Sequence, residues 1–182
     1  MYKIIFFDTE TTGNTENDSL CQIAYKTKDE EFVGLYKPLT KISVDASAVH
    51  HITNKMVADK SIFKESSDYS KIKNLFEDPN TVVVAHNALF DLMILKKENI
   101  NPVNFICTLR LARHLDKEAK IEKYNLQYLR YLLEIEIEAT AHDALGDVLV
   151  LEQLYERLKK KIMTEENLAE EKAIEQMIEI SS

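Results

Sequence analysis

The sequence predicts an α/β fold with one mixed five-stranded sheet flanked by helices. Two observations lead there. Short runs rich in β-branched and aromatic residues recur at 2–8, 20–27, 31–37, 81–85 and 104–107, and the later runs alternate with segments of helical periodicity. Only the short polar stretch Lys28-Asp29-Glu30-Glu31 separates the second and third runs, so the first three strands should be antiparallel neighbours. The strand-helix alternation that follows builds the rest of the sheet.

The first run, KIIFFD, is continuous and apolar until it reaches Asp8, and then reads Thr-Glu-Thr-Thr-Gly. Side chains two apart on a strand share a face, so Asp8 and Glu10 project together. Like charges held that close raise each other's pKa, and such a pair usually shares a divalent cation or a proton. A strand end passing into a polar turn would also use Asp, Thr and Gly. After the hairpin, residues 39–60 form the least regular part of the chain and include Val49, His50 and His51. A helix is expected over 65–77.

The fourth run, Val82-Val83-Val84-Ala85, ends in His86 and Asn87, and a helix over 88–98 carries Asp91 in its first turn with Asn87 as its N-cap. Helices are also expected at 108–116, 125–133 and 143–163. In the last of these Val148, Leu151, Tyr155, Leu158 and Ile162 recur at helical spacing. His142 and Asp147 are five apart, about 140° around a continuous helix, so both can serve one site only if His142 lies on the loop before the helix.

DxE with TTG, then HNxxFD, then HxxxxD in this order resembles the DEDDh group of 3'-to-5' exonucleases, the DnaQ-like family that includes the proofreading subunit of a bacterial replicative polymerase. The resemblance covers residues 2 to about 160, and VHHIT at 49–53, CTLRLAR at 107–113 and YNLQYL at 124–129 are similar to the family as well. It implies a ribonuclease H-like fold. Asp8, Glu10, Asp91 and Asp147 would be the metal-binding carboxylates and His142 the general base. Thr11, Thr12, Gly13, His50, His86, Asn87 and Phe90 would meet the terminal nucleotide. For Phe90 a place in the core is the competing reading, and for His86 a structural hydrogen bond. His51 departs from the family, which often has Gly there, and this bears on the local turn.

The reaction so implied is hydrolysis of a terminal phosphodiester with two ions about 3.5 to 4 Å apart. Oxygen-only ligands suit Mg²⁺ or Mn²⁺. Asp8 would bridge both ions, Glu10 and Asp147 would complete the site of the attacking water, and Asp91 would hold the second ion directly or through water. His142 would take the water's proton near neutral pH. The substrate would be the 3' end of DNA, with a DNA polymerase as the expected partner. RNA trimming, or a catalytically silent module that binds nucleic acid or polymerase, are the alternatives. Four crowded acids argue against silence, because binding to phosphate gives no reason for them.

Composition bounds these expectations. With 182 residues, 45% of them hydrophobic, the chain can bury one good core. The expected division is an exonuclease domain over 1–163 and an acidic helical extension over 164–182, with Thr164 as the N-cap of the extension. Its Ala169, Ala173, Ile174, Met177, Ile178 and Ile180 cluster on one side, either packed on the domain or left for a partner. No apolar run suits a signal peptide or membrane span, and Cys21 and Cys107 lack metal-site spacing, so a reduced cytoplasmic protein is expected. The net charge of −8 is concentrated in the tail, where six Glu and one Lys lie between 165 and 182. Arg110, Arg113, His114, Lys117, Lys120, Lys123 and Arg130 form either a phosphate track or a solvated helix face. Of three glycines, Gly13 should allow a tight turn, Gly146 a close packing contact and Gly34 a bulge.

Overall fold

A computed structural model describes residues 2–137 and 144–182. The sheet comprises β1 (Lys3–Thr11), β2 (Leu20–Lys26), β3 (Glu31–Leu35), β4 (Thr81–Ala85) and β5 (Asn104–Cys107), in the order β3-β2-β1-β4-β5. β1 pairs antiparallel with β2 and parallel with β4, and β4 pairs parallel with β5. The mixed five-stranded sheet therefore stands as expected, with β1 in the middle.

Strand parity divides the core into two layers. Phe6, Ala24, Val82, Val84 and Ile106 face α5 (Thr108–Leu115), α7 (Ala144–Glu166) and α8 (Glu170–Ser181), together with α6 (Leu126–Leu132). Ile5, Phe7, Ile23, Tyr25 and Val83 face α3 (Tyr69–Glu77) and α4 (Ala88–Lys97). Phe6 packs edge-on against Tyr155, and Phe7 against Phe76, at ring separations of 5.2 Å on both faces.

The irregular segment contains more order than its sequence suggests. α1 (Val44–His50) is capped by Ser43, whose hydroxyl accepts from Ala46 N–H, and α2 (Asn54–Val57) by Thr53, which accepts from Met56 N–H. Ile42, Ile52 and Val57 seal them over Cys21 in a small separate core. Such short helices carry too little periodicity to register. Their caps are the readable signal. At the end of α1, His51 takes the left-handed conformation at φ 62°, where glycine would be unstrained. His51→Gly is therefore expected to stabilise the fold by about 0.5–1 kcal/mol in chemical denaturation.

Three local expectations are corrected. The helix expected over 65–77 is a 3-10 turn at Phe63–Glu65 followed by α3. Gly34 is no bulge, since it pairs in register with Ile23; the Tyr36 ring lies where its Cβ would project, with Cζ at 2.6 Å. The register shift lies between Glu10 and Thr11 instead. Gly13 has no positive φ, and a Cβ there would meet both Asp18 carboxylate oxygens at 2.7 Å, so it makes room for a side chain.

Thr164 is not an N-cap, because α7 runs through it to Glu166 and its hydroxyl donates to Lys160 C=O. The chain turns at Asn167, φ 52°, before α8. Ala173, Ile174 and Met177 enter the main core, and the Ser181 hydroxyl accepts from Cys107 N–H on the outer edge of β5. The apolar stripe packs on its own domain. Met177→Ala is expected to lower unfolding free energy by about 2–5 kcal/mol, measured in urea.

Candidate active site

Geometry at the end of β1 follows from strand length and parity. β4 pairs with β1 only as far as Phe6, whereas β2 accompanies it to Thr11. Residues 8–11 thus extend past the end of β4, at the carboxyl edge where parallel sheets bind ligands. Asp8 and Glu10 lie on the face covered by α7, whose first turn carries Asp147. One ligand oxygen from each of Asp8, Glu10 and Asp147 lies within 4.8 Å of the others, a spacing that fits a shared divalent cation.

Asp91 approaches from the opposite face. Thr9 lies between the two strand acids and so points away from them, and its N–H and hydroxyl donate to Asp91 Oδ1 at 3.2 and 2.7 Å. This anchors α4 beside the site while leaving Asp91 outside the tight three-acid group. Burial pushes the Asp91 carboxyl up to about 7 despite those hydrogen bonds. The Asp8 carboxyl is raised well above its ordinary value, first by burial and then by the charges of Glu10, Asp91 and Asp147. A cation would relieve all of these contributions at once.

Two positioning residues escaped sequence reasoning. One is Thr9. The other is Gln127 on α6, whose side-chain amide donates to Asp147 Oδ1 at 2.5 Å. It sits in YNLQYL, a stretch whose resemblance to the family implies no role for it. Partners that orient a ligating carboxylate usually affect activity by 10- to 100-fold, so Gln127→Leu is expected to lower kcat by about that factor. Steady-state kinetics across metal concentrations checks this.

Beside the acids is a cavity of about 320 Å³, lined among others by Thr9, Glu10, Thr11, Gly13, His50 and Phe90, with Ser43, Asp45, Ala46 and Val49 contributed by α1. Phe90 serves both readings, since it lines the cavity and packs against the α3–α4 core. His50 is buried. Its Nδ1 accepts from Ile52 N–H at 3.1 Å and its Nε2–H donates to Thr11 C=O at 3.0 Å, tying α1 to β1. Burial lowers its pKa and favours this neutral tautomer.

Other expected contacts turn inward. The Thr11 hydroxyl donates to Gly13 C=O, and Thr12 is buried in a polar knot with Asp18 and Thr40. Both ring nitrogens of His86 are engaged: Nε2–H donates to Tyr124 C=O at 2.7 Å, and Nδ1 accepts from the Thr108 hydroxyl at 2.9 Å. Burial holds His86 down at about 4, so it is neutral and joins β4 to α5 and the segment before α6. Asn87 occupies the N-cap position of α4 but makes no capping bond; it is exposed at φ 62° and ψ 42°. His142 lies outside the described residues.

The basic stretch does not form a continuous track. Arg110 donates to the Ser181 and Ser182 carbonyls, Arg113 lies over the Tyr124 ring, and Arg130 is buried and donates to Ile137 C=O. Lys117 and Lys120 pair with Glu165 and Glu118. Among the described residues no helix is long and apolar enough to cross a membrane.

Comparison with known proteins agrees with this geometry. Residues 5–155 match the exonuclease (RNase_T) family. DNA polymerase III subunit epsilon of Treponema pallidum (strain Nichols) is 33% identical over 162 residues, which cover 82% of this chain and 73% of that protein. Exodeoxyribonuclease 10 of Escherichia coli K12 is 37% identical over 81 residues, covering 44% of this chain and 32% of that one. The structure of exonuclease X in complex with 5' overhanging duplex DNA superposes with a TM-score of 0.76 at 28% identity, covering 98% of this chain and 99% of the other. With the ribonuclease H-like sheet, the acids gathered at its carboxyl edge and a match across most of its length, the chain belongs to the exonuclease family.

Proposed function

We propose that this protein is a metal-dependent 3'-to-5' exonuclease that removes nucleotides singly from DNA ends. The observation that carries this reading is the convergence of Asp8, Glu10 and Asp147 within 4.8 Å beside a 320 Å³ cavity. Mg²⁺ or Mn²⁺ suits such oxygen donors, and two ions would supply charge stabilisation at the scissile phosphate and a more acidic attacking water. Asp8, Glu10 and Asp147 would hold the ions, with Asp91 as a further carboxylate beside them. His142, on the segment leading into α7, would accept the water's proton. His50 holds α1 against β1, so that Val49 and Phe90 can enclose the terminal sugar and base. Asn87, exposed and not used in capping, is available to a polar group of the nucleotide.

DNA is favoured over RNA because the relatives are named for DNA polymerase and exodeoxyribonuclease activities. A proofreading role beside a DNA polymerase in the cytoplasm follows from the same likeness, and two buried free cysteines agree with a reducing compartment. The test offers matched single-stranded DNA and RNA 12-mers with Mg²⁺, Mn²⁺ or EDTA. Mononucleotide release from DNA, abolished by EDTA, supports the reading. Equal or faster release from RNA overturns the DNA assignment.

A further inference from the structure

α6 presents a surface that the catalytic site does not account for. Gln127, which holds Asp147, also lines a neighbouring groove of about 420 Å³ with Lys123, Asn125, Tyr128, Tyr131 and Leu132. Tyr131 is 72% exposed and Leu132 48%, large apolar area to leave in water on so short a helix. Arg130 lies beneath Tyr131, with its guanidinium carbon 5.5 Å from the ring centroid, and steadies the ring from the protein side. Lys123, which also lines the groove, is exposed and pairs with no described carboxylate, unlike Lys117 and Lys120.

We propose that this groove binds the single-stranded part of the substrate, two or more nucleotides 5' to the residue being removed. The proposal rests on the exonuclease reading, because Gln127 both lines the groove and donates to Asp147 of the candidate site. An aromatic face offers stacking to any base, and an ammonium beside it offers a phosphate contact, the pairing that single strands use without sequence preference. Tyr131 lies four residues, about one helical turn, beyond Gln127, so a strand leaving the acids would meet it next. Glu134 and Glu136 line a second hollow that shares Tyr131, whereas Lys123 lines only the groove, so phosphates are favoured in the groove.

The test compares wild type, Tyr131→Ala, Tyr131→Phe and Lys123→Ala in two measurements. Anisotropy of a fluorescent single-stranded DNA 12-mer, in EDTA at low salt, reads binding without hydrolysis. Tyr131→Ala is expected to weaken it by about 5- to 100-fold, with Tyr131→Phe restoring most of the loss. Lys123→Ala should weaken it and reduce its salt dependence by about one phosphate contact. With Mg²⁺, the ratio of kcat/KM on the 12-mer to that on a dinucleotide should fall for Tyr131→Ala by a similar factor. Unchanged anisotropy, or equal losses on both substrates, overturns the groove. Failure of wild type to hydrolyse either substrate overturns the exonuclease reading instead, while anisotropy still decides whether the groove holds the strand.

Discussion

Asp8→Asn is expected to lower hydrolysis by at least about 10³-fold while raising the melting temperature of the metal-free protein. The activity loss follows from removing a proposed metal ligand, where metal-assisted charge stabilisation is worth several kcal/mol. The stability gain follows from the raised carboxyls. Asp8 is lifted by burial and by three neighbouring acids, and Asp91 is lifted by burial to about 7. A folded pKa above the unfolded one, near 4, means that the folded state holds more protons between the two values. Stability therefore falls as pH rises through that window, and the penalty is complete above the folded pKa. Metal-free wild type should lose stability from pH 5 to 8, whereas Mg²⁺ or Asp8→Asn should flatten the slope. Below pH 4 the opposite trend sets in, because Asp18 and Asp116 are held down by hydrogen bonds that protonation weakens. Thermal melts across pH, with Mg²⁺ or EDTA, check both parts; a metal-free Asp8→Asn protein that melts lower at pH 8 contradicts the crowding account.

His142→Ala is expected to reduce kcat by about 10²- to 10⁴-fold with little change in the metal concentration needed for half activity. The proposed role is to accept a proton, and no ligand is lost. Wild-type kcat should climb as pH rises through the histidine range near 6.5, and the variant should lose that limb. Rate profiles from pH 5.5 to 9 at saturating Mg²⁺ decide it. A variant that keeps the same profile transfers the base role to hydroxide or another group.

Most of the sheet and the acidic centre were legible because each rests on a short period. The alternation of Ile5 and Phe7 against Phe6 and Asp8 fixes which face each residue joins, and Thr9 turns to Asp91 by that same rule. α1 and α2 were not legible from periodicity. Seven and four residues give too few turns to repeat a pattern, although Ser43 and Thr53 carry the capping signal. Roles set by tertiary contact were equally hidden. Nothing in the spacing shows that Gln127 reaches Asp147, that Tyr36 lies over Gly34, or that His86 is spent between Thr108 and Tyr124. The amphipathic stripe of the tail is legible in its spacing, but its start is not, because α7 continues through Thr164.

The acids of β1, α4 and α7 are proposed to release nucleotides one by one from a 3' end. The most direct measurement of this is a time course on 5'-labelled linear single-stranded DNA with Mg²⁺, run beside a covalently closed single-stranded circle. The expected result is a ladder that shortens by one nucleotide at a time from the 3' end, mononucleotide product and an untouched circle. A linearised circle, a labelled mononucleotide appearing first, or no hydrolysis with either Mg²⁺ or Mn²⁺ would contradict it.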